Sequence, residues 1–414
     1  MIFNSFEFLL IFLPIFFIIF FALFKFNLQK IAIWVIGIAS IIFYSLENLN
    51  FLWLLIISIS VNYFIGEMII KKSEKKFFLI FGIIFNLSLL IYFKYTIFIL
   101  SSYQGIANTS FRLPEIILPI GISFYTFTQL AFLVDAYHKK SKHYTFSEYV
   151  SFVTFFPHLI AGPILIHRNF IPQLRHLKFG KPSSNKIYAG TVFFSIGMFK
   201  KVMIADSISP SVIYLFNNAD ILTTLEAWIA GFLYTIQLYY DFSGYSEMAV
   251  GLALLMNLKI PINFNSPYKS NSIIDFWRRW HISLSYFLKQ YLYIPLGGSR
   301  KGQIRQYINL FATMLLGGIW HGAGVTYVVW GAMHGLYLCI NHYSRKTKLS
   351  IPVYFAWPLT FLAVVISWVV FRANNITDAL NIIGSMFGLR NYSLATPNLE
   401  NSEFYILLII LFII

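Results

Sequence analysis

Charge is scarce in this sequence. Only 11% of its 414 residues are Asp, Glu, Lys or Arg, while 58% are apolar and 19% aromatic. A soluble domain carries about 25% charged residues. So little charge excludes an ordinary soluble protein, because any compact body exposes part of its apolar surface. The mean hydropathy of +0.70 points the same way. Lipid is therefore the expected solvent, and at about 20 residues per crossing there is room for roughly ten helices. The expectation is an all-α, polytopic integral membrane protein of about ten or more helices, with the bilayer as its first partner.

Acidic residues are scarcer still, 16 against 31 Lys and Arg, for a net charge of +15. The basic residues are spread through short connections between apolar runs, which argues against a nucleic-acid partner and for basic cytoplasmic loops. Cysteine occurs once, as Cys339. That excludes internal disulfides and any zinc site built mainly from cysteine, and among apolar neighbours Cys339 reads as a small buried hydrophobe. No Gly-x-Ser-x-Gly elbow, His-Glu-x-x-His helix or phosphate-loop spacing is present, so serine-hydrolase, metalloprotease and nucleotide-loop mechanisms have no motif support and no metal is expected. Neither a fixed-period repeat nor a matched pair of broken helices is found.

Apolar runs lie at 8–23, 31–45, 51–70, 77–100 and 115–137. The first has no basic residue before Lys25 and is longer than a signal-peptide core, so it reads as a helix that stays in the membrane. The connections after runs one, three and five hold Lys25 and Lys30, the cluster Lys71 to Lys76, and Lys139, Lys140 and Lys142. Those after runs two and four hold no basic residue and one, Arg112. The positive-inside rule then puts the odd connections in the cytoplasm and the N-terminus outside. Further runs, at 187–216, 223–258, 305–320, 325–341 and 352–371, are interrupted by Pro, Gly and charge. Re-entrant or half-spanning segments are expected there. The 11-residue run Phe404 to Ile414 is short for a span, as if the chain were cut or ended within the membrane.

Ionisable groups in apolar runs are functional candidates by default. One group is Asp241-Phe242-Ser243-Gly244 with Glu247, which reads either as a polar site or as a turn. Another begins at Ser272, where Ser272 and Asp275 have capping spacing. On the helix so started, Asp275 and Arg279 are placed to pair, and Trp277 and His281 would share a face. The cluster of Trp277, Arg278, Arg279 and His281 suits equally a membrane interface and an anionic, nucleotide-bearing ligand. A third group is Trp320-His321-Gly322, set among Gly317, Gly318 and Gly324. Gly318 and Gly322, like Gly331 and Gly335, have small-xxx-small spacing. His321 is either a satisfied core histidine or a base able to take a proton from a hydroxyl. His334, in the following run, reads as core.

Taken together, these segments resemble the membrane-bound O-acyltransferase family, in its bacterial branch of alginate O-acetylation proteins. The resemblance is carried by Leu118-Pro119-Ile120-Gly121-Ile122-Ser123-Phe124-Tyr125, Phe155 to Pro163, Lys200-Lys201 with Ala205-Asp206, and Asp241 to Ser246. It continues through Phe276 to Ser285, Tyr291 to Arg300, Trp320-His321-Gly322, and Trp368 with Phe371-Arg372-Ala373. The resemblance implies transfer of acetyl groups from cytoplasmic acetyl-CoA towards a cell-envelope polysaccharide, with no bound cofactor. It implies His321 as the catalytic histidine and His281 as a second polar residue of the site. Arg278, Arg279 and Trp277 would meet the donor, and Asp241, Ser243 and Trp320 would support the site. A separate periplasmic or extracellular acetyltransferase is the implied partner, and the inner membrane the implied location. Residues 115–373 would form the catalytic core, preceded by membrane helices at 1–114 and followed by a C-terminal segment, 374–414. Two positions depart from the branch: Glu247 stands where Asp is usual, and Lys289-Gln290 where Arg-Asp is common. A glycolipid flippase is the competing class; a polyprenyl-sugar glycosyltransferase would need more acid in the early outside loop than Glu47.

Overall fold

With lipid as solvent, backbone polar groups must be satisfied within each segment, and the helix does this locally. The computed structural model describes residues 3–26, 28–71, 75–176, 184–347 and 351–393. Among these residues the fold is helical, without strands. In chain order the helices are α1 (Leu13–Lys25), α2 (Gln29–Asn48), α3 (Leu52–Lys71), α4 (Lys75–Leu90), α5 (Thr96–Ala107) and α6 (Ile122–Tyr137). Next come α7 (Phe146–Thr154), α8 (Phe156–Leu159), α9 (His167–Arg175), α10 (Ser184–Phe199), α11 (Ser207–Asn217) and α12 (Thr224–Leu255). The series closes with α13 (Ile273–Arg279), α14 (Ile282–Leu288), α15 (Gln303–His321), α16 (Val325–Lys346), α17 (Val353–Arg372) and α18 (Ile376–Met386).

Five helical stretches among the described residues are long and apolar enough to cross a membrane: Gln29–Glu47, Leu49–Lys71, Lys75–Ala107, Ser184–Asn217 and Val353–Arg372. Two of these are pairs of helices joined without a break, α4 to α5 through a π-helical turn at Ile91–Tyr95 and α10 to α11 through another at Lys200–Asp206. Their outward faces carry Ile80, Ile84, Ile196 and Met203 exposed, as a lipid-facing surface requires. The fifth apolar run departs from expectation. Helix α6 begins only at Ile122, so residues 115–121 are not helical, and its 16 residues extend about 24 Å. Most of α6 is buried, including Thr126, Thr128, Gln129 and Asp135, so protein rather than lipid surrounds it. The run Phe404 to Ile414 lies outside the described residues.

The chain divides into two compact units, one of residues 1–198 and 245–262, the other of 199–244 and 263–414. In the first unit α7 packs along α2, where Gly37 lets Ser151 approach and the Ser151 hydroxyl donates to the Ile33 carbonyl at 2.6 Å. Helix α7 starts at a capping box, in which Thr145 Oγ1 accepts from Glu148 N and the Glu148 carboxylate accepts from Thr145 N. Buried polar groups here are matched. Asn62 on α3 and Asn86 on α4 exchange two side-chain hydrogen bonds, of 3.2 and 2.6 Å. His167 lies between Asp135, at 3.2 Å, and the Tyr144 hydroxyl, at 3.0 Å. The second unit has an aromatic core, with Phe276, Trp280, Trp330 and Trp368 all buried.

Candidate active site

Within the second unit, α15 and α16 lie in backbone contact. A Cβ on Gly318 would stand 2.3 Å from the Tyr327 carbonyl oxygen and 2.8 Å from Gly331 Cα. One on Gly331 would stand 2.7 Å from the Met314 carbonyl oxygen. The small residues noted in sequence thus face one another across a single helix pair, the arrangement that close packing in lipid favours. This contact fixes His321, the last residue of α15, where Gly322 leaves the helix in an extended conformation.

The half-buried His321 imidazole is flanked by aromatic rings. Trp320 lies 4.8 Å away between ring centroids, Trp330 5.1 Å and Phe371 5.4 Å, all with rings steeply inclined to it. His281 and His334 both lie within electrostatic reach of His321. The structure therefore brings His321, His281 and Trp320, named from sequence, into one neighbourhood.

The start of the helix bearing Arg278 follows expectation. Ser272 caps it, accepting from Asp275 N at 3.2 Å, and Asp275 pairs with Arg279 at 3.0 Å. Its end does not. Helix α13 stops at Arg279, and His281 adopts a left-handed conformation, φ 41°. The break has a local cause: Asn263 accepts from Ile282 N and Ser283 N, and Asn265 N donates to the Arg279 carbonyl. Trp277 and His281 consequently do not share a helix face. Instead the buried His281 ring meets Phe242 edge-on at 4.7 Å, and its Nδ1 has no hydrogen-bond partner among the described residues.

The remaining candidates separate. Trp277 is buried and its indole N–H donates to His334 Nδ1 at 3.2 Å. Arg278 is exposed, whereas Arg279 is held by Asp275. Two residues not singled out from sequence, His342 and Arg345 at the end of α16, share the electrostatic surroundings of Arg278. The signal was present in Arg345-Lys346 closing an apolar run. No turn occurs at Asp241-Phe242-Ser243-Gly244, because α12 continues through it. Asp241 lies 2.6 Å from Lys201, which also holds Asp206 at 2.7 Å. Ser243 is fully buried, its hydroxyl without a partner among the described residues. Cys339 is only half-buried and lies 3.5 Å from the Tyr307 carbonyl. No cluster of three or more His, Cys, Asp or Glu residues fit for a metal occurs among the described residues.

The geometry can do proton transfer beside an aromatic wall, and comparison with known proteins gives it a chemical setting. The model described as MBOAT, membrane-bound O-acyltransferase family, matches residues 86–377. The chain is 40% identical to a peptidoglycan O-acetyltransferase of Helicobacter pylori, over 98% of this chain and 83% of the relative. It is also 40% identical to a probable alginate O-acetylase of Pseudomonas aeruginosa, over 97% of this chain and 78% of the relative. A teichoic acid D-alanyltransferase of Bacillus subtilis is 29% identical over 55% of this chain and 60% of its own.

Proposed function

The chain belongs to the membrane-bound O-acyltransferase family and is an acyltransferase, and from that premise we propose that it moves acetyl groups from cytoplasmic acetyl-CoA to hydroxyls destined for a cell-envelope polysaccharide. The observation that carries this reading is the setting of His321. It stands at a helix C-terminus, where the backbone dipole favours the positive charge gained on taking a proton.

In the proposed reaction the acceptor oxygen attacks the thioester carbonyl carbon. A C–O bond forms and the C–S bond breaks. The hydroxyl proton passes to His321 and from there to the departing sulfur. His281 binds or polarises the acyl thioester. Arg278 attracts the donor phosphates, and Arg279, whose Nε is held by Asp275 at 3.0 Å, contributes hydrogen bonds from the other nitrogens of its guanidinium. Trp277 acts through His334, to which its indole N–H donates at 3.2 Å. Residues 115–373 hold this chemistry, with the N-terminus outside the inner membrane and the basic loops facing the donor. The acceptor hydroxyl belongs either to the polymer or to a relay group on a periplasmic transferase, and the proton balance is the same in both.

The test is ester-linked acetate on envelope polysaccharide, released by mild base, in cells whose only copy carries His321→Ala. Acetate should vanish while the protein accumulates normally. Normal acetate would overturn the assignment.

A further inference from the structure

His334 was expected to be a core histidine, yet its hydrogen bonding is half complete. The ring is fully buried on α16. Its Nδ1 accepts the Trp277 indole N–H at 3.2 Å, so in the neutral ring the proton resides on Nε2. That Nε2–H has no acceptor among the described residues. Leaving a buried donor unsatisfied is costly, and a histidine serving only to pack would be better replaced by an apolar residue. The ring also cannot turn to find a partner. Phe276 stacks on it, Trp277 stands perpendicular to it at 5.3 Å, and Trp330 meets it at 4.8 Å.

Trp330 joins this histidine to the site already described, because the same indole contacts His321 at 5.1 Å. Its own N–H is likewise buried and without an acceptor among the described residues. Two rigid donors on α16, Trp330 against the base and His334 against Trp330, have no acceptor among the described residues, and acyl transfer supplies one. The carbonyl oxygen gains negative charge as the tetrahedral centre forms, and preorganised donors in a dry site stabilise it most effectively.

We propose that His334 is a third histidine of the active site, locked by Trp277 so that its Nε2–H donates to the carbonyl oxygen of the transferred acyl group. This rests on the reading of His321 as the base. The bond changes are those given above; His334 keeps its proton throughout and only its hydrogen bond strengthens.

The experiment uses inner-membrane vesicles that contain the full chain and its envelope polymer, with radiolabelled acetyl-CoA as the probe and base-labile label as the readout. His334→Leu should lower the saturating rate about 100-fold, the usual effect of losing one such donor, with half-saturating acetyl-CoA changed by less than about threefold. His334→Gln, which keeps an N–H near the Nε2 position, should restore the rate to within about tenfold of wild type and leave the pH profile in place. Trp277→Phe, which releases the lock, should fall between the two. A His334→Leu rate above about one third of wild type would overturn the proposal. So would a His334→Gln pH profile with a displaced limb, since that marks a proton carrier rather than a fixed donor. If His334→Leu does not accumulate, His334→Gln and Trp277→Phe decide: an inactive Gln variant, or a Phe variant at the wild-type rate, overturns it. His321→Ala is run in parallel. Its activity would remove the underlying reading, whereas an inactive His321→Ala beside an active His334→Leu removes only this inference.

Discussion

Adjacent glycines on α15 give a test of how closely catalysis depends on the α15–α16 contact. A methyl on Gly318 would meet backbone alone: the Tyr327 carbonyl at 2.3 Å, Gly331 Cα at 2.8 Å and Gly331 N at 3.0 Å. Backbone atoms in a helix cannot swing aside as side-chain tips do, so relief requires the two helices to part by about 1 Å to reach ordinary contact near 3.5 Å. Overpacking of this kind costs about 1–3 kcal/mol. A misplacement of about 1 Å at the reacting groups can lower the rate about 100-fold. Gly317 is the internal control, because its methyl would meet only Leu288 Cδ1, at 3.3 Å. There Gly→Ala should be close to neutral, and the helix-propensity difference of about 1 kcal/mol works in its favour. Thermal unfolding in detergent and acetate transfer in vesicles should both fall for Gly318→Ala and neither for Gly317→Ala. Equal behaviour of the two variants would refute the reasoning, whichever way they behaved.

Three further outcomes follow from the first and second units. Replacing either Asn62 or Asn86 by Leu leaves the other's amide unmatched, so each single variant should lose about 1–3 kcal/mol. The double variant should lose less than the sum, and strict additivity in a double-mutant cycle would deny the pairing. Burial pushes the Glu148 carboxyl up, but two hydrogen bonds from Arg175 and one from Thr145 hold it below the usual range. A depressed carboxylate contributes stability above its unfolded value of about 4.3 and loses it as pH falls through the folded value. Wild-type melting temperature should therefore approach that of Glu148→Gln on acidification below about pH 4.3, and a constant gap would contradict the pairing. Lys201→Met removes the cation from between Asp206 and Asp241 and should lower the melting temperature more than either Asp→Asn change, because it leaves two carboxylates uncompensated, whereas either Asp→Asn change leaves one matched pair.

The legible features were those whose causes are local. Ser272 capping α13, the Asp275–Arg279 pair and the helices near the N-terminus each depend on residues within a turn or a single run. The left-handed break at His281 was not legible, because it is imposed by Asn263, 18 positions away, and nothing in Trp280-His281 itself ends a helix. The turn, one of the two readings open at Asp241, failed for the opposite reason. Its Ser-Gly signal is real in water, but 32 residues of continuous helix and the Lys201 pair outweigh it. His334 lay between these cases. Gly318 opposite Gly331 sets an antiparallel register that puts His334 level with Leu315, about two turns from His321. The pattern of glycines held that information, but only once the two helices were known to pair.

The scarcity of charge and the choice of histidine belong to one physical solution. In the reaction proposed above, a thioester must be kept from water while its carbonyl is attacked; Trp320, Trp330 and Phe371 flank His321, and Trp368 packs behind Trp330. In such a setting a carboxylate or ammonium would need a counter-charge to remain ionised. Asp241 and Asp275 each stand beside a cation and partly exposed, rather than among the rings. Imidazole escapes the requirement, since its resting form is neutral and still offers one donor and one acceptor. In the proposed reaction His321 receives the hydroxyl proton at a helix end that favours the charge it brings. His334 can remain a neutral donor for as long as Trp277 occupies its other nitrogen.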